Sequence, residues 1–160
     1  MTSILKAKNE KIIIDCNIFD KMIFDKDLLL QSLGEYEYFI ISIQYDELKK
    51  IPNSKKEWRE SLLSLIDILK ITTVYTTPAI YGKVKYGLAK YGGDTDAFNK
   101  ILKTTRSNIN DALIASSAIS HEYILVTDDN ELRRKMKNNN YEVMTYSELL
   151  NDIKNIVHKV

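Results

Sequence analysis

Five short runs of apolar, often β-branched residues punctuate the chain, and between them apolar positions recur at helical spacing. Ile12–Asp15 is apolar up to a terminal acid, Tyr38–Ser42 reads YFIIS, and Ile71–Tyr75 is β-branched. Tyr123–Thr127 reads YILVT and Tyr141–Thr145 reads YEVMT. Runs without polar alternation suit strands covered on both faces, as in a parallel sheet.

The intervening segments predict helices. Ser54-Lys-Lys-Glu57 has the form of a capping box, and Trp58, Leu62, Leu65, Ile66 and Leu69 follow on one face. Thr145-Tyr-Ser-Glu148 is a second box, followed by Leu149, Ile153, Ile156 and Val157. Ala112–Ile119 is small and apolar on nearly all sides, which predicts a helix buried against the sheet. Residues 78–105 predict two further helices broken near Gly92-Gly93. Strands alternating with helices give an α/β fold: a three-layer α/β/α sandwich on a mostly parallel sheet of about five strands. Without repeats, low-complexity tracts or a Pro-, Gly- or Ser-rich linker, residues 1–160 read as a single domain.

Composition narrows the chemistry. Apolar residues make up 44% and charged residues 28% of 160, an ordinary globular balance. The lone cysteine, Cys16, cannot form an internal disulfide, and no apolar run is long enough to span a bilayer. The first ten residues lack the apolar centre of a signal peptide, so the expectation is a cytoplasmic protein. His121 and His158 are far apart, which with one cysteine excludes a structural zinc site. No GxxxxGK[ST] or GxGxxG occurs, which removes phosphate-cradling loops. Any catalytic centre must rely on carboxylates, hydroxyls, amides and a few cations.

In open α/β sheets, ligands bind beyond the carboxyl ends of the strands, where strand order reverses. The acids fall there. Asp15 ends the first strand, and Glu47 lies about a turn into the helix after the second. Asp111 opens the buried helix that leads into the fourth strand, which Asp128 and Asp129 follow directly. Any one of these has an ordinary explanation as a cap or a solvated side chain. Their joint placement does not. Two like charges ~5 Å apart at an effective dielectric of ~20 repel by roughly 3 kcal/mol, so such a cluster calls for protons or a cation. Oxygen donors without His or Cys suit Mg²⁺ or Mn²⁺, and the dipole of its helix is expected to keep Asp111 ionised. An acidic cation cage at a sheet edge points to metal-assisted phosphodiester hydrolysis.

The net charge of +1 conceals blocks. Acids outnumber lysines nine to five over residues 1–48, whereas 49–59 and 82–106 are strongly basic. Lys49, Lys50, Lys55, Lys56 and Arg59, with Lys83, Lys85, Lys90, Lys103 and Arg106, could track a nucleic-acid backbone, and Arg133 and Arg134 follow Asp129 closely. Tyr81, Tyr86 and Tyr91 could stack on bases or pack on the core or a second subunit.

Four motifs then carry a resemblance: IIIDCNIF at 12–19, SIQYDEL at 42–48, NDALIASSAI at 110–119 and LVTDDNEL at 125–132. In this order they resemble a PIN-domain ribonuclease, most like the toxin of a VapBC-type toxin–antitoxin pair. The resemblance implies that Asp15, Glu47, Asp111 and Asp129 hold Mg²⁺ or Mn²⁺, Asp129 matching the third position of the Thr-x-Asp motif. Asn17 and Thr127 match polar positions that support the acids, and Ser42 matches a small hydroxyl position of structural character. It also implies an RNA substrate, a small antitoxin protein with a segment in the acidic groove, and a homodimer with the Tyr-rich stretch 78–91 as a candidate face. Residues 54–106 match the family least. A haloacid-dehalogenase phosphatase would need Asp-x-Asp-x-Thr where Asp15-Cys16-Asn17-Ile18-Phe19 stands, and a receiver domain would need an acid after the third strand, where Tyr75 stands. A catalytically silent PIN-like RNA- or protein-binding module, a flap-endonuclease-like activity, and a housekeeping or phage-defence nuclease without an antitoxin remain as alternatives.

Overall fold

The computed structural model describes residues 9–75 and 109–158. The helices expected over 78–105, with Tyr81, Lys83, Lys85, Tyr86 and Tyr91, lie outside the described residues. The described elements run β1 (Glu10–Ile14), α1 (Cys16–Met22), a 3-10 turn (Ile23–Asp25), α2 (Lys26–Gln31), β2 (Tyr36–Ile41) and α3 (Ser42–Lys49). A second 3-10 turn (Asn53–Lys55), α4 (Lys56–Ile68) and β3 (Thr72–Val74) follow. Then come α5 (Ile109–His121), β4 (Ile124–Val126), α6 (Asn130–Asn138), β5 (Val143–Met144) and α7 (Tyr146–His158).

All four strand pairings are parallel, in the order β3-β2-β1-β4-β5. All five expected strands form. β2 ends one residue early, at Ile41, so Ser42 opens α3 and does not close the strand. Ile13 stands opposite Phe39 on one side and Leu125 on the other. Because side chains alternate along a strand, Ile12 and Ile14 face one helical layer and Ile13 the other. The first layer packs Ile18, Met22, Leu29, Leu62, Leu65, Leu149 and Ile153 against Ile12, Ile14, Tyr38 and Ile40. The second packs Ala112, Ala115, Leu132 and Met136 against Ile13, Phe39, Ile41 and Leu125. The small side chains of α5 let its backbone lie close to the sheet. Truncating a fully buried leucine such as Leu65 to Ala is expected to cost about 2–5 kcal/mol.

Two sequence signals with the same form part ways. Thr145 and Glu148 build the expected capping box: the Thr145 amide donates to Glu148 Oε1 at 2.9 Å, and the Glu148 amide to Thr145 Oγ1 at 3.1 Å. Ser54 does not cap α4. The chain after Pro52 winds into a 3-10 turn, closed by the Lys55 amide on the Pro52 carbonyl at 2.8 Å. Ser54 is thus already inside a turn, and Lys55 stands at the N-cap without a side-chain hydrogen bond. Trp58, in the first turn of α4, lies at the end of the core face. It is 36% exposed, whereas Leu62, Leu65, Ile66 and Leu69 are buried as expected.

Three helices end alike. Lys70, Glu122 and Asn140 take left-handed φ values of 53°, 62° and 65° after α4, α5 and α6. In each case the next amide reaches back to close the terminal turn: Ile71 to Ile66, Tyr123 to Ala118, Tyr141 to Met136, at 2.8–2.9 Å. This turn aims the chain back into the sheet, but glycine, the usual occupant, is absent. A left-handed L-residue costs roughly 1–2 kcal/mol, less for Asn, and part of any gain from glycine is lost to unfolded-state entropy. Glu122→Gly is therefore expected to raise stability by about 0.5–1 kcal/mol, and Asn140→Gly by less. Urea unfolding measures both; a destabilised Glu122→Gly chain would contradict the strain account.

Candidate active site

The strand order reverses between β1 and β4, and the acids gather at the carboxyl ends of these two strands. Asp15 follows β1 as the N-cap of α1. Its amide extends the ladder to the Val126 carbonyl at 3.0 Å, and its Oδ1 accepts from the Cys16 amide at 2.7 Å. Oδ2 accepts from the buried Thr127 hydroxyl at 2.6 Å. Having given its proton to Asp15, Thr127 Oγ1 accepts from the Asp129 amide at 3.0 Å. One hydroxyl thus ties together the ends of both central strands. Asp129 caps α6, with Oδ1 accepting from the Glu131 and Leu132 amides at 3.0 and 3.1 Å.

Asp111, in the first turn of α5, completes the group. Its side chain shares a hydrogen bond with that of Asp129 and feels the charge of Asp15. A hydrogen bond between two carboxyl groups requires a proton, and Asp111 holds it. Burial first, then repulsion from Asp15 and Asp129, push its pKa up to about 7. The expectation that the helix dipole keeps Asp111 ionised is therefore overturned. A dipole worth roughly 0.3–1 kcal/mol loses to desolvation plus like-charge crowding. Asp15 is also raised, by burial, although Thr127 and the Cys16 amide pull the other way.

Glu47 is exposed on α3, across the Cys16 thiol from the other acids. That thiol responds to Asp15, Glu47 and Asp111 together and, mainly through burial, is pushed up to about 11. Gln44, one turn before Glu47, is a residue that sequence reasoning missed. Its Oε1 accepts from the Ile41 amide at 2.7 Å, and its Nε2 donates to the Ile14 carbonyl at 2.8 Å and approaches Cys16 Sγ at 3.4 Å. It pins the start of α3 to the end of β1 and so fixes where Glu47 stands relative to Asp15. The only hint in the sequence is an amide three residues after a strand end.

Asp128 turns away from this group. It pairs with Lys21 and accepts from the Tyr146 amide at 3.0 Å, starting α7. These contacts, above all Lys21, hold its carboxyl below the usual range against partial burial. Among the cations, Lys49 is engaged by Asp46 at 3.7 Å and lies over the Tyr45 ring. Arg133 donates to Asn130 Oδ1 at 2.8 Å, while Lys50 and Arg134 are exposed. Asn17 is exposed on the first turn of α1. Lys83 and Lys85 lie outside the described residues.

Among the described residues, no group of three or more His, Cys, Asp or Glu side chains is drawn in tightly enough to hold a metal ion as it stands. The donor chemistry nonetheless fits a hard divalent cation: Asp15, Asp111, Asp129 and Glu47 offer oxygen only, and the repulsion among the three aspartates is what such an ion relieves. No other metal chemistry suits this set as well.

A family profile described as "PIN domain" matches residues 12–138. Two solved structures share the fold. PAE2754 from Pyrobaculum aerophilum has a TM-score of 0.60 at 15% identity, covering 96% of this chain and 95% of its own. VapBC-1 from nontypeable Haemophilus influenzae has a TM-score of 0.54 at 16% identity, covering 86% of this chain and 98% of its own. No curated protein sequence matches the chain.

The Asp111 carboxyl yields a pH prediction. Its folded pKa lies above that of an ordinary aspartate, so the folded state binds the extra proton and stability falls as pH rises from about 4 to about 7. In metal-free buffer Asp111→Asn removes that loss. The variant is expected to match the parent near pH 4 and exceed it by up to about 4 kcal/mol above pH 7. Denaturation midpoints at the two pH values check this; an advantage independent of pH would refute the crowding.

Proposed function

The chain belongs to the PIN domain family, whose members are in general nucleases, and from that premise we propose that it is a Mg²⁺- or Mn²⁺-dependent endoribonuclease, the toxin of a toxin–antitoxin pair. The observation that carries this reading is the convergence of Asp15, Asp111 and Asp129 where the strand order reverses, tied by Thr127 and by the Asp111–Asp129 hydrogen bond. A pure scaffold gains nothing from crowding acids at its ligand-binding edge.

Asp15, Glu47, Asp111 and Asp129 would hold the ion, which supplies activation of water and neutralisation of charge at a phosphodiester. The remaining work falls to the chain. Thr127 fixes the Asp15 carboxylate, and the α6 amides fix Asp129, so neither must reorganise when substrate arrives. Asp111 would release its proton to solvent in order to serve as a ligand. Asn17, exposed beside Asp15, can hydrogen-bond water or substrate. Lys50, Arg133 and Arg134, with Lys83 and Lys85 outside the described residues, are the cations that would contact phosphates. Lys49 is held by Asp46 and contributes less.

An acidic rim also suits a protein inhibitor. A small antitoxin could present an arginine to these carboxylates in a charge-assisted pair, and the shared fold with VapBC-1 supports such a partner. Homodimerisation and a cytoplasmic site of action belong to the same reading. Among the described residues no helix is long and apolar enough to cross a membrane.

Asp15→Asn tests the reading, because Asn retains N-capping ability and the fold should survive. Cleavage of transfer, ribosomal or messenger RNA should drop by about a hundredfold or more, with an unchanged circular dichroism spectrum. Chelation should silence the parent equally. Undiminished cleavage by Asp15→Asn would overturn the assignment.

A further inference from the structure

Trp58 is the chain's single tryptophan, and it stands 36% exposed on a helix whose other large apolar residues are buried or half-buried. It borders a cavity of about 290 Å³ walled by Phe19 and Leu62, with Asp20, Cys16 and Glu47 along its polar side. We propose that this cavity is a nucleobase subsite, in which Trp58 stacks on a base of the RNA strand and Asp20 selects guanine. The proposal rests on the ribonuclease reading and extends it to the nucleotide beside the cleaved bond.

Three features carry it. The first is continuity: Glu47 and Cys16 belong both to this cavity and to the acidic rim, so a strand crossing the rim can place a neighbouring base in the cavity. Size is the second. The volume lies at or below the low end of the roughly 300–1,000 Å³ typical of ligand clefts, room for one ring system and too little for a helix. Stacking on an aromatic face suits any base, because every base has a π-face.

The third is polarity, which chooses among bases. Gln44 also lines the cavity, but its amide is engaged by Ile41, Ile14 and Cys16 and cannot read a ligand. Asp20 is exposed, and among the described residues its carboxylate has no hydrogen-bond or ion-pair partner. A carboxylate only accepts hydrogen bonds. Guanine alone among the four bases presents two adjacent donors, its ring N–H and its amino group, which a carboxylate can take in a bidentate pair. Exposed Lys55, ending the 3-10 turn, and Lys56, opening α4, offset the acidity toward the flanking phosphate.

Trp58 is its own reporter. Guanosine, adenosine, cytidine and uridine monophosphates are titrated into the full chain in chelator, with tryptophan fluorescence as the readout. Saturable quenching by guanosine monophosphate is expected at a concentration about tenfold below the others, and Asp20→Asn should erase that preference while leaving quenching itself. Equal quenching by all four nucleotides, or a preference unaffected by Asp20→Asn, would overturn the guanine assignment. Absence of saturable quenching by any nucleotide, with quenching by an apolar dye alone, would overturn the subsite and give the cavity to an apolar side chain of a protein partner. Because the assay uses neither metal nor cleavage, its outcome is independent of the nuclease test: a chain that cuts RNA but shows no nucleotide quenching loses only this proposal.

Discussion

Beyond their last paired residues, β1 and β4 remain joined. The Asp15 amide donates to the Val126 carbonyl, and the Thr127 hydroxyl closes back on the Asp15 carboxylate. Everything at the acidic rim depends on that double link. It holds an acid, 2% exposed, at the point where the strand order reverses. Because the one hydroxyl proton is spent on Asp15, Thr127 is left to accept from Asp129. With Asp15 and Asp129 so placed, Asp111 enters from α5 into a space already negative and answers by keeping a proton.

On the proposed reading, a cation would relieve this crowding. Desolvation and like-charge repulsion, each worth several kcal/mol at close range, are tolerated only because hydrogen bonds and a proton offset them. A fold under selection for stability alone would replace Asp111 with a neutral side chain. The rim instead resembles a preorganised site, in which the cost of positioning the acids is met by the β1–β4 link and the caps of α1 and α6 before any ligand arrives.

Much of this was legible in the sequence, and the failures have physical reasons. The strands were readable because uninterrupted β-branched runs have few other places to go in a chain of this length. The carboxyl-edge rule then collected Asp15, Glu47, Asp111, Asp128 and Asp129 without any contact information, and only the resemblance in the Thr-x-Asp motif preferred Asp129. Spacing alone could not separate Asp128 from Asp129, since adjacent residues differ only in direction; Lys21 and the Tyr146 amide, far away in sequence, draw Asp128 aside. A capping box is likewise a local pattern subject to its surroundings. Thr145 meets an extended chain and caps, whereas Ser54 follows Pro52 into a 3-10 turn and does not. The protonation of Asp111 was illegible because it depends on burial and on two neighbours brought together only by the fold. Gln44 was missed for the same reason.

The most direct measurement is a crystal structure of the chain grown with Mn²⁺, read through the metal's anomalous scattering. The account predicts an ion between the carboxyl ends of β1 and β4, with oxygens of Asp15 and of Asp111 or Asp129 at about 2.1–2.2 Å. A saturated crystal with no ion there, or with its ion bound away from these carboxylates, would contradict it.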